Sequence, residues 1–350
     1  MTGVAHPGVA ARTAAWAEQA GWDGMVVVDS QNLSGDPYIA LAMAARETER
    51  LGLGTGVTNP LTRHPAATAT AIATVQAESK GRAILGIGRG DSALAHLGLA
   101  PAPVAVFEDY LRRLQAYLRG DDVELQKPEA GGPAGVDTLG FAATPTTSRI
   151  HWLRPDDPKV PVEVAATGPK VLAAAARRAD RVLLAVGAEP DRLRWGIDTA
   201  RAARSDAGLD PDGVAFGAFV NVVAHPEHDV ARRLASGTMS TFARFSVMHG
   251  TVSGPASGDD EQVLAAVRDA YDMTLHTQGG SPQAKALTPE FIDRFGIVGP
   301  PAACAERLAT LVGLGIERVV AVGPAGPFLR DAAAEAAACM VEEVLPAVRA

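Results

Sequence analysis

Residues 51–91 read LGLGTGVTNPLTRHPAATATAIATVQAESKGRAILGIGRGD. The stretch begins with an apolar run of strand length at 51–57, continues with an alanine-rich segment of helical period at 65–79, and returns to an apolar run at 82–87. A strand, a helix and a second strand in this order are typical of a βαβ unit, in which the two strands run parallel. The segment therefore predicts a parallel sheet with helices packed against it.

The same alternation extends over almost the whole chain. The other strand candidates lie at residues 24–28, 161–165, 181–186, 214–223 and 318–322. An eighth strand would have to come first, and only residues 2–5 are available before Pro7, so we expect the first strand to be short. Eight βα units predict an α/β fold, a (β/α)8 TIM barrel spanning residues 1–350 as a single domain, with an open doubly wound sheet as the rival fold.

Helix candidates separate the strands, and two segments interrupt the alternation of strands and helices. The helix candidates lie at residues 9–20, 36–50, 65–79, 104–118, 169–178, 191–207, 227–245, 301–314 and 327–348. The interrupting segments are 120–159, rich in Pro, Gly, Asp and Thr, and 249–290, which contains a short helix candidate at 261–275. They predict loop insertions after strands 4 and 7, where they could cover the barrel mouth at which ligands bind.

Composition and charge narrow the class of protein. The 350 residues are 47% hydrophobic and carry 40 acidic against 32 basic side chains, a formal net charge of −8. This balance argues against a nucleic-acid or anionic membrane surface, and no apolar run reaches the length of a membrane span. The only cysteines, Cys304 and Cys339, fit a reducing compartment, so we expect a cytoplasmic protein with no metal site and a small-molecule substrate.

Polar residues follow the second and third strands. Asp29 comes directly after the second strand, with Ser30 and Gln31 beside it, and can act in chemistry or simply cap a loop or helix. Gly54 and Gly56 lie inside the third strand, where glycine usually marks a bulge or a close approach of a ligand.

The fourth strand ends in GIGRGD at residues 86–91. It lacks the third glycine of a dinucleotide-binding fingerprint, because position 91 is Asp, so we reject a Rossmann interpretation. What remains is a glycine-rich turn carrying Arg89 and Asp91, which can approach a flat ligand closely or can merely cap a helix.

The fifth strand is followed by Thr167, Gly168, Pro169 and Lys170. A free helix amino terminus beside a hydroxyl and a lysine is suited to a phosphate group, although this motif alone is weak. The histidines show no metal-binding HExxH pattern, and no nucleophile-elbow motif supports hydrolase chemistry.

Together these strand ends resemble the bacterial-luciferase-like superfamily, most closely its deazaflavin-dependent branch typified by methylenetetrahydromethanopterin reductase. The resemblance is strongest over residues 51–98 and weaker over 21–29, 162–186 and 298–324. It implies an oxidoreductase that binds coenzyme F420, a reduced 8-hydroxy-5-deazaflavin, at the carboxyl-terminal mouth of the barrel and transfers a hydride to or from a small molecule. A homodimer is also implied.

The resemblance also implies site residues. A bulged third strand with a non-prolyl cis peptide would back the deazaflavin ring, and the matching pair here is Gly56 and Val57. The remaining cofactor contacts would come from Asp29, Asn59, Arg89, Gly90, Thr167, Gly168, Lys170 and Val171.

Catalytic roles would fall to Asp91 and Asp29. Asp91 matches an acidic position that faces the reacting centre, and we expect partial burial to favour its protonated form for proton transfer. Asp29 matches a family aspartate, but Ser30 stands where relatives often have His, which leaves the proton donor open. Gly187, Ala188 and Glu189 replace the basic groups of a sugar-phosphate dehydrogenase, so we discount that activity.

Three functions remain open at this point. The leading one is F420-dependent hydride transfer to or from a C=N, C=C or C=O bond. The second is an FMN-dependent monooxygenase on the same fold. The third is a non-catalytic barrel that serves as a partner subunit, which Ser30 and the short first strand would favour.

Overall fold

Nine parallel strands form one sheet at the centre of the computed structural model, which describes residues 1–126, 134–154, 156–248, 250–324 and 330–349. Within this part of the chain the strands are β1 (Thr2–Gly3), β2 (Gly24–Val27), β3 (Gly52–Thr55), β4 (Ala83–Ile87), β7 (Val162–Ala166), β8 (Arg181–Leu184), β9 (Ala215–Ala224), β10 (Ile297–Gly299) and β11 (Arg318–Val322), with β5 (Val123–Glu124) and β6 (Thr147–Ser148) pairing separately as an antiparallel hairpin.

The order of the strands is that of a barrel. Each strand from β1 to β4 pairs with its successor, β4 pairs with β7, and β7, β8 and β9 follow in turn. The long strand β9 pairs with β11 along residues 217–221 and with β10 along residues 222–224. Because β1 lies beside β11, the eight strands other than β10 form a nearly closed parallel barrel, which confirms the predicted fold and its short first strand.

The helices largely follow the predicted positions. They are α1 (Ala10–Gln19), α2 (Pro37–Glu47), α3 (Pro65–Glu78), α4 (Ser92–Ala95), α5 (Val104–Arg119), α6 (Pro169–Arg178), α7 (Pro190–Asp206), α8 (His228–Phe245), α9 (Gly258–Asp269), α10 (Pro282–Lys285), α11 (Pro289–Phe295), α12 (Pro301–Gly313), α13 (Arg330–Cys339) and α14 (Leu345–Arg349), with a π-helical turn at Met340–Val344 between the last two. The predicted start of the final helix at 327–329 lies outside the described residues.

Local sequence explains where several helices begin. Proline occupies the first helical position of α2, α3, α6 and α7, where its missing N–H has no intrahelical partner to lose. At α2, the Asp36 side chain also accepts hydrogen bonds from the backbone N–H groups of Tyr38 and Ile39. These starts place the amino termini of the helices next to the carboxyl ends of the strands.

The first insertion does not lie where we expected. Arg113 on α5 donates to Gln126 at 2.7 Å, and the Tyr117 hydroxyl on the same helix lies 2.7 Å from the Ser148 hydroxyl. At these contacts the insertion packs against α5 and not over the carboxyl ends of the strands. The physical reason is that this insertion follows the helix of its βα unit, so it starts near the amino ends of the strands.

The second insertion covers the mouth, and it begins earlier than predicted. Helix α8 matches the predicted helix 227–245, but it passes over the carboxyl ends of the strands. Its Thr238 accepts from Asn221 on β9 at 2.8 Å, and its Arg244 reaches Asp91 after β4, three strands away around the barrel. The outer barrel helix of this unit is α12, which packs on β9 and β10.

Apolar side chains fill the barrel beneath α8. Leu183, Ala185, Phe219, Val320 and Val322 form a buried cluster inside the strands. Among the described residues, no helix combines the length and the apolar character needed to cross a bilayer.

Candidate functional site

Asp29 is the most buried charged group at the mouth. It follows β2, is 3% exposed, and accepts a hydrogen bond from the Thr58 hydroxyl at 2.6 Å. Arg63 forms an ion pair with it at 2.9 Å, and the Gln31 amide donates to it at 2.5 Å. These partners occupy the Asp29 carboxylate, so Asp29 is suited to hold neighbouring groups in place.

Arg63 was not assigned a role from the sequence. Its guanidinium bridges Asp29 and Asp36, the latter at 2.6 Å, and lies 4.9 Å from the centre of the Tyr38 ring. Burial raises the pKa of Tyr38 above its usual value, which keeps its hydroxyl neutral. Only the proximity of Arg63 to the glycine-rich third strand could have pointed to it, because its contacts join residues far apart in the sequence.

The end of β3 has the expected bulge. The peptide bond between Gly56 and Val57 is cis, as the resemblance implied. A Cβ atom on Gly56 would collide with Val26 on the neighbouring strand, so only glycine fits there. Val57 packs on the buried cluster inside the barrel, and Thr58 returns to the sheet by pairing with Ile87.

Asn59 carries an unused donor at the end of this bulge. Its side chain is 1% exposed, and its oxygen accepts from the backbone N–H groups of Leu61 and Thr62 and from the Thr62 hydroxyl. Its Nδ2 group is buried and has no hydrogen-bond partner among the described residues. A buried donor without a partner costs about 1–3 kcal/mol, so a ligand acceptor at this point would be stabilising.

The loop after β4 contacts the same bulge. Gly90 has a φ angle of 82°, and a Cβ atom there would lie 3.1 Å from the Asn59 Cβ and would collide with Leu94. Arg89 donates to the backbone oxygen of Ala102 at 2.6 Å, which fixes the path of the loop. The loop is therefore held close against Asn59, with its glycine required for that approach.

Asp91 is paired rather than free. Its carboxylate forms an ion pair with Arg244 of α8, and the two side chains are only 17% and 12% exposed. We expected partial burial to favour the protonated acid, and the structure places the Arg244 guanidinium against this carboxyl group. Nothing in the sequence pattern indicated Arg244, because α8 was expected to lie on the outside of the barrel.

The predicted phosphate turn follows β7. Gly168 caps α6 with extended backbone, and a Cβ atom there would meet only the Ser253 hydroxyl, at 3.6 Å. Lys170 is exposed, whereas the Thr167 hydroxyl donates to the Ala185 backbone oxygen at 3.2 Å. The turn is open at Gly168 and Lys170, and Ser253 brings the second insertion next to it.

Val171 differs from the other residues of this turn. Its side chain packs against the hydrophobic core, and its backbone N–H bonds to the Gly168 oxygen at 3.0 Å. A phosphate contact from Val171 stays a prediction that its observed bonding does not favour.

The structure thus gathers the predicted residues at one end of the barrel. Asp29, Asn59 and the Arg89–Asp91 loop follow β2, β3 and β4, and the Thr167–Lys170 turn follows β7, the neighbour of β4. Arg63, Arg244 and Ser253 are the additional residues that the sequence did not reveal.

Known proteins are similar to this chain in sequence. The model of the luciferase-like monooxygenase family matches residues 2–318. A 5,10-methylenetetrahydromethanopterin reductase of Archaeoglobus fulgidus is 30% identical over 317 residues, covering 89% of this chain and 88% of that protein, and one of Methanolobus tindarius is 28% identical with 89% of each covered. A phthiodiolone/phenolphthiodiolone dimycocerosates ketoreductase of Mycobacterium kansasii is 29% identical, covering 88% of this chain and 83% of that one.

Solved structures show the same fold. The coenzyme F420-dependent tetrahydromethanopterin reductase of Methanopyrus kandleri superposes with a TM-score of 0.72 at 24% identity, covering 99% of this chain and 97% of that one. The oxygenating constituent of 3,6-diketocamphane monooxygenase from Pseudomonas putida, solved with FMN, gives a TM-score of 0.63 at 16% identity, covering 97% and 92%. With the family match over most of its length, the chain belongs to the luciferase-like monooxygenase family and is an oxidoreductase.

Proposed function

We propose that this protein is an F420-dependent oxidoreductase that transfers a hydride between reduced deazaflavin and a C=N, C=C or C=O bond of a small molecule. The observation that carries the proposal is the bulged end of β3, where the buried Asn59 Nδ2 donor has no acceptor beside the cis Gly56–Val57 peptide. The curated relatives named as reductases support the reaction class.

The residues present fit this cofactor. Gly56 and Val57 would back the ring, Asn59 would donate to a ring oxygen or nitrogen, and Gly90 leaves room for close approach. Gly168 and Lys170, beside Thr167, would meet the phosphate, with the helix dipole of α6 and the exposed Lys170 as its positive partners. When bound in its reduced form, the cofactor supplies the hydride.

The two aspartates act within this frame in different ways. Asp29 orients Thr58 and Arg63 beneath the bulge through the bonds described above. Asp91 lies in the loop that contacts Asn59, and its carboxyl group pairs with Arg244. We propose that it acts as a base, or holds Arg244 in place.

Titration of the purified protein with oxidised F420 and, in parallel, with FMN tests the proposal. Fluorescence quenching and thermal shift should report binding of F420 and not of FMN. Preference for FMN would support the monooxygenase alternative, for which the FMN-bound structural neighbour is the favouring observation. Binding of neither would overturn both and favour the non-catalytic partner subunit.

The matched variant for this test is Asn59→Asp. It keeps the oxygen that accepts from Leu61 and Thr62 but replaces the Nδ2 donor by an acceptor. We expect F420 affinity to fall roughly tenfold, since a lost hydrogen bond is joined by repulsion between two acceptors. Affinity equal to that of the unchanged protein would show that Asn59 does not contact the cofactor.

The proposal also includes a homodimer in the cytoplasm. Ile39 and Met43, one turn apart on α2, are 65% and 50% exposed and form an apolar surface suited to a second copy. Cys304 and Cys339 are free and buried, which supports a reducing compartment.

A further inference from the structure

The second insertion brings a set of polar side chains over the loop that follows β4. We call them the mouth cluster, and its members are Asp91, His96, Arg244, Tyr271 and His276. None of them except Asp91 was singled out by the sequence.

Four members of the mouth cluster are joined by direct contacts, and the fifth, His96, lies near His276. The guanidinium of Arg244 pairs with Asp91 and lies 4.5 Å from the centre of the Tyr271 ring. The Tyr271 hydroxyl lies 2.8 Å from His276 Nδ1 and 3.1 Å from the Thr241 hydroxyl. Arg244 is therefore held between an anion and an aromatic face, with its orientation fixed from two sides.

The charges of this group largely cancel. Asp91 neutralises Arg244, so their pair contributes no net charge. Burial, with help from the nearby Arg244 and His96, lowers the pKa of His276 to about 4, which leaves its ring neutral near pH 7. A ligand that enters beside Arg244 and His276 meets dipoles and donors, with the charge of Arg244 balanced by Asp91.

Besides the two atoms of the Asp91–Arg244 ion pair, two nitrogen atoms of the mouth cluster lack hydrogen-bond partners among the described residues. Arg244 Nε and His96 Nε2 are both buried and form no hydrogen bond within the described residues. The Arg244 atom can only donate, and His96 Nε2 donates in one of its two tautomers. Arg244 Nε therefore needs an acceptor atom, and His96 Nε2 can bind the same acceptor in its Nε2–H tautomer.

We propose that Arg244 and His96 form the substrate-binding side of the site, and that they take an uncharged hydrogen-bond acceptor, such as an amide or ketone oxygen, in preference to a carboxylate or phosphate. This inference rests on the proposed function, because it identifies the chemical class of substrate that would face the bound cofactor. The preference arises because an anion would meet the Asp91 carboxylate, and like charges brought together in a partly buried site repel. Phe242 and Phe245, 5.6 Å apart, extend the same face with apolar surface.

The test uses two probes of nearly equal shape, benzamide and benzoate. Their dissociation constants are measured by ligand-observed NMR, with and without oxidised F420. We expect the unchanged protein to bind benzamide roughly tenfold more tightly than benzoate. Asp91→Asn should reverse this order, since it leaves the charge of Arg244 without a counter-ion. Equal binding of the two probes, tighter binding of benzoate, or binding of neither by the unchanged protein would overturn the proposal.

Two further variants guard against a folding defect in Asp91→Asn. Arg244→Lys keeps the charge but removes the Nε donor, and should weaken benzamide binding while leaving thermal unfolding nearly unchanged. Asp109→Asn removes an exposed carboxylate that pairs with Arg112 on α5, far from the mouth, and should leave the preference intact. Benzamide binding by Arg244→Lys at full affinity would exclude Arg244 Nε as the contact.

Failure of this inference is distinguishable from failure of the proposed function. F420 binding is read by fluorescence on the same samples, without either probe. A protein that binds F420 but prefers benzoate would retain the proposed function and lose the inference. A protein that prefers benzamide but binds no F420 would retain the inferred ligand preference and lose the proposed function.

Discussion

At the scale of single residues, the site is organised by two arginine–aspartate pairs. Arg63 balances Asp29 beneath the bulge of β3, and Arg244 balances Asp91 above it. A carboxylate taken out of water needs such a partner, because its desolvation cost is otherwise several kcal/mol. The two pairs therefore give both of these buried or partly buried aspartates a cationic partner.

Replacing Arg63 tests how strongly the stability of the fold depends on the Arg63–Asp29 pair. Arg63→Ala leaves the Asp29 carboxylate buried without its counter-ion, and we expect a loss of about 2–3 kcal/mol in the free energy of unfolding. This is below the 3–5 kcal/mol of a fully buried pair, since the Arg63 side chain is 22% exposed. Urea unfolding at pH 7 measures it.

The matched control is Arg112→Ala, which breaks an exposed pair with Asp109 on α5. Surface pairs contribute about 0–1 kcal/mol, so this variant should be nearly as stable as the unchanged protein. If both variants lost the same small amount, Asp29 would not depend on Arg63 for its charge.

His276 predicts a loss of stability in mild acid. Its pKa is about 4 in the folded protein against an ordinary 6.5, so between these values the unfolded chain binds a proton that the folded chain does not. Stability therefore falls as pH drops from about 6.5 to about 4. His276→Asn keeps an acceptor for the Tyr271 hydroxyl, removes the titration, and should flatten this decline by roughly 2–3 kcal/mol. Unfolding free energies across this pH range, compared with those of the exposed-site variant His151→Asn, measure the difference, and parallel curves would contradict it.

At the scale of elements, the phosphate turn before α6 gives a prediction that separates binding from stability. Gly168 has extended backbone, and a Cβ there would meet only the Ser253 hydroxyl at 3.6 Å, so Gly168→Leu should fold normally. The leucine would block ligand access to the α6 amino terminus and should weaken F420 binding roughly tenfold or more. Fluorescence titration and thermal unfolding give the two readouts.

The control for Gly168 is Gly258, the first residue of α9, where a Cβ would meet nothing within 4 Å. Gly258→Leu changes another helix start in the same way and should leave F420 affinity unaltered. Undiminished binding by Gly168→Leu would move the phosphate site away from α6.

The strands and helices differ in how well the sequence predicted them, and each difference has a physical reason. The period of the apolar residues indicated the barrel strands and the helices between them, because each must bury one face. It could not tell that α8 crosses the mouth, since residues 227–245 have the same helical pattern wherever their apolar face is buried. β10 was missed because three residues, Ile297–Gly299, are too few to show a period. The cis bond came from the family resemblance, whereas Arg63 and Arg244 act through contacts between distant segments that no local pattern records.

At the scale of the whole molecule, the residues of the site come from two parts of the chain, the strand ends of the barrel and the second insertion. The strand ends supply the bulge, the glycine loop and the predicted phosphate turn, and the family resemblance is strongest over the first two of these. The second insertion supplies Arg244, Tyr271, His276 and Ser253, and it lies outside the best-matched segments. Because the insertion faces the strand ends across the mouth, we expect it to determine substrate choice, while the barrel determines the cofactor.

Exposed apolar side chains on α2 lead to a prediction of the oligomeric state. Ile39 and Met43 share one face of α2 and are 65% and 50% exposed, so burying them in a dimer would remove apolar surface from water. The double variant Ile39→Glu with Met43→Glu should place like charges at that interface and yield monomers, as measured by size-exclusion chromatography with light scattering. Val312→Glu alters a single apolar side chain on α12, 55% exposed, and should leave the dimer intact. A double variant that still runs as a dimer would assign the interface to another face, and a monomeric unchanged protein would refute the homodimer itself.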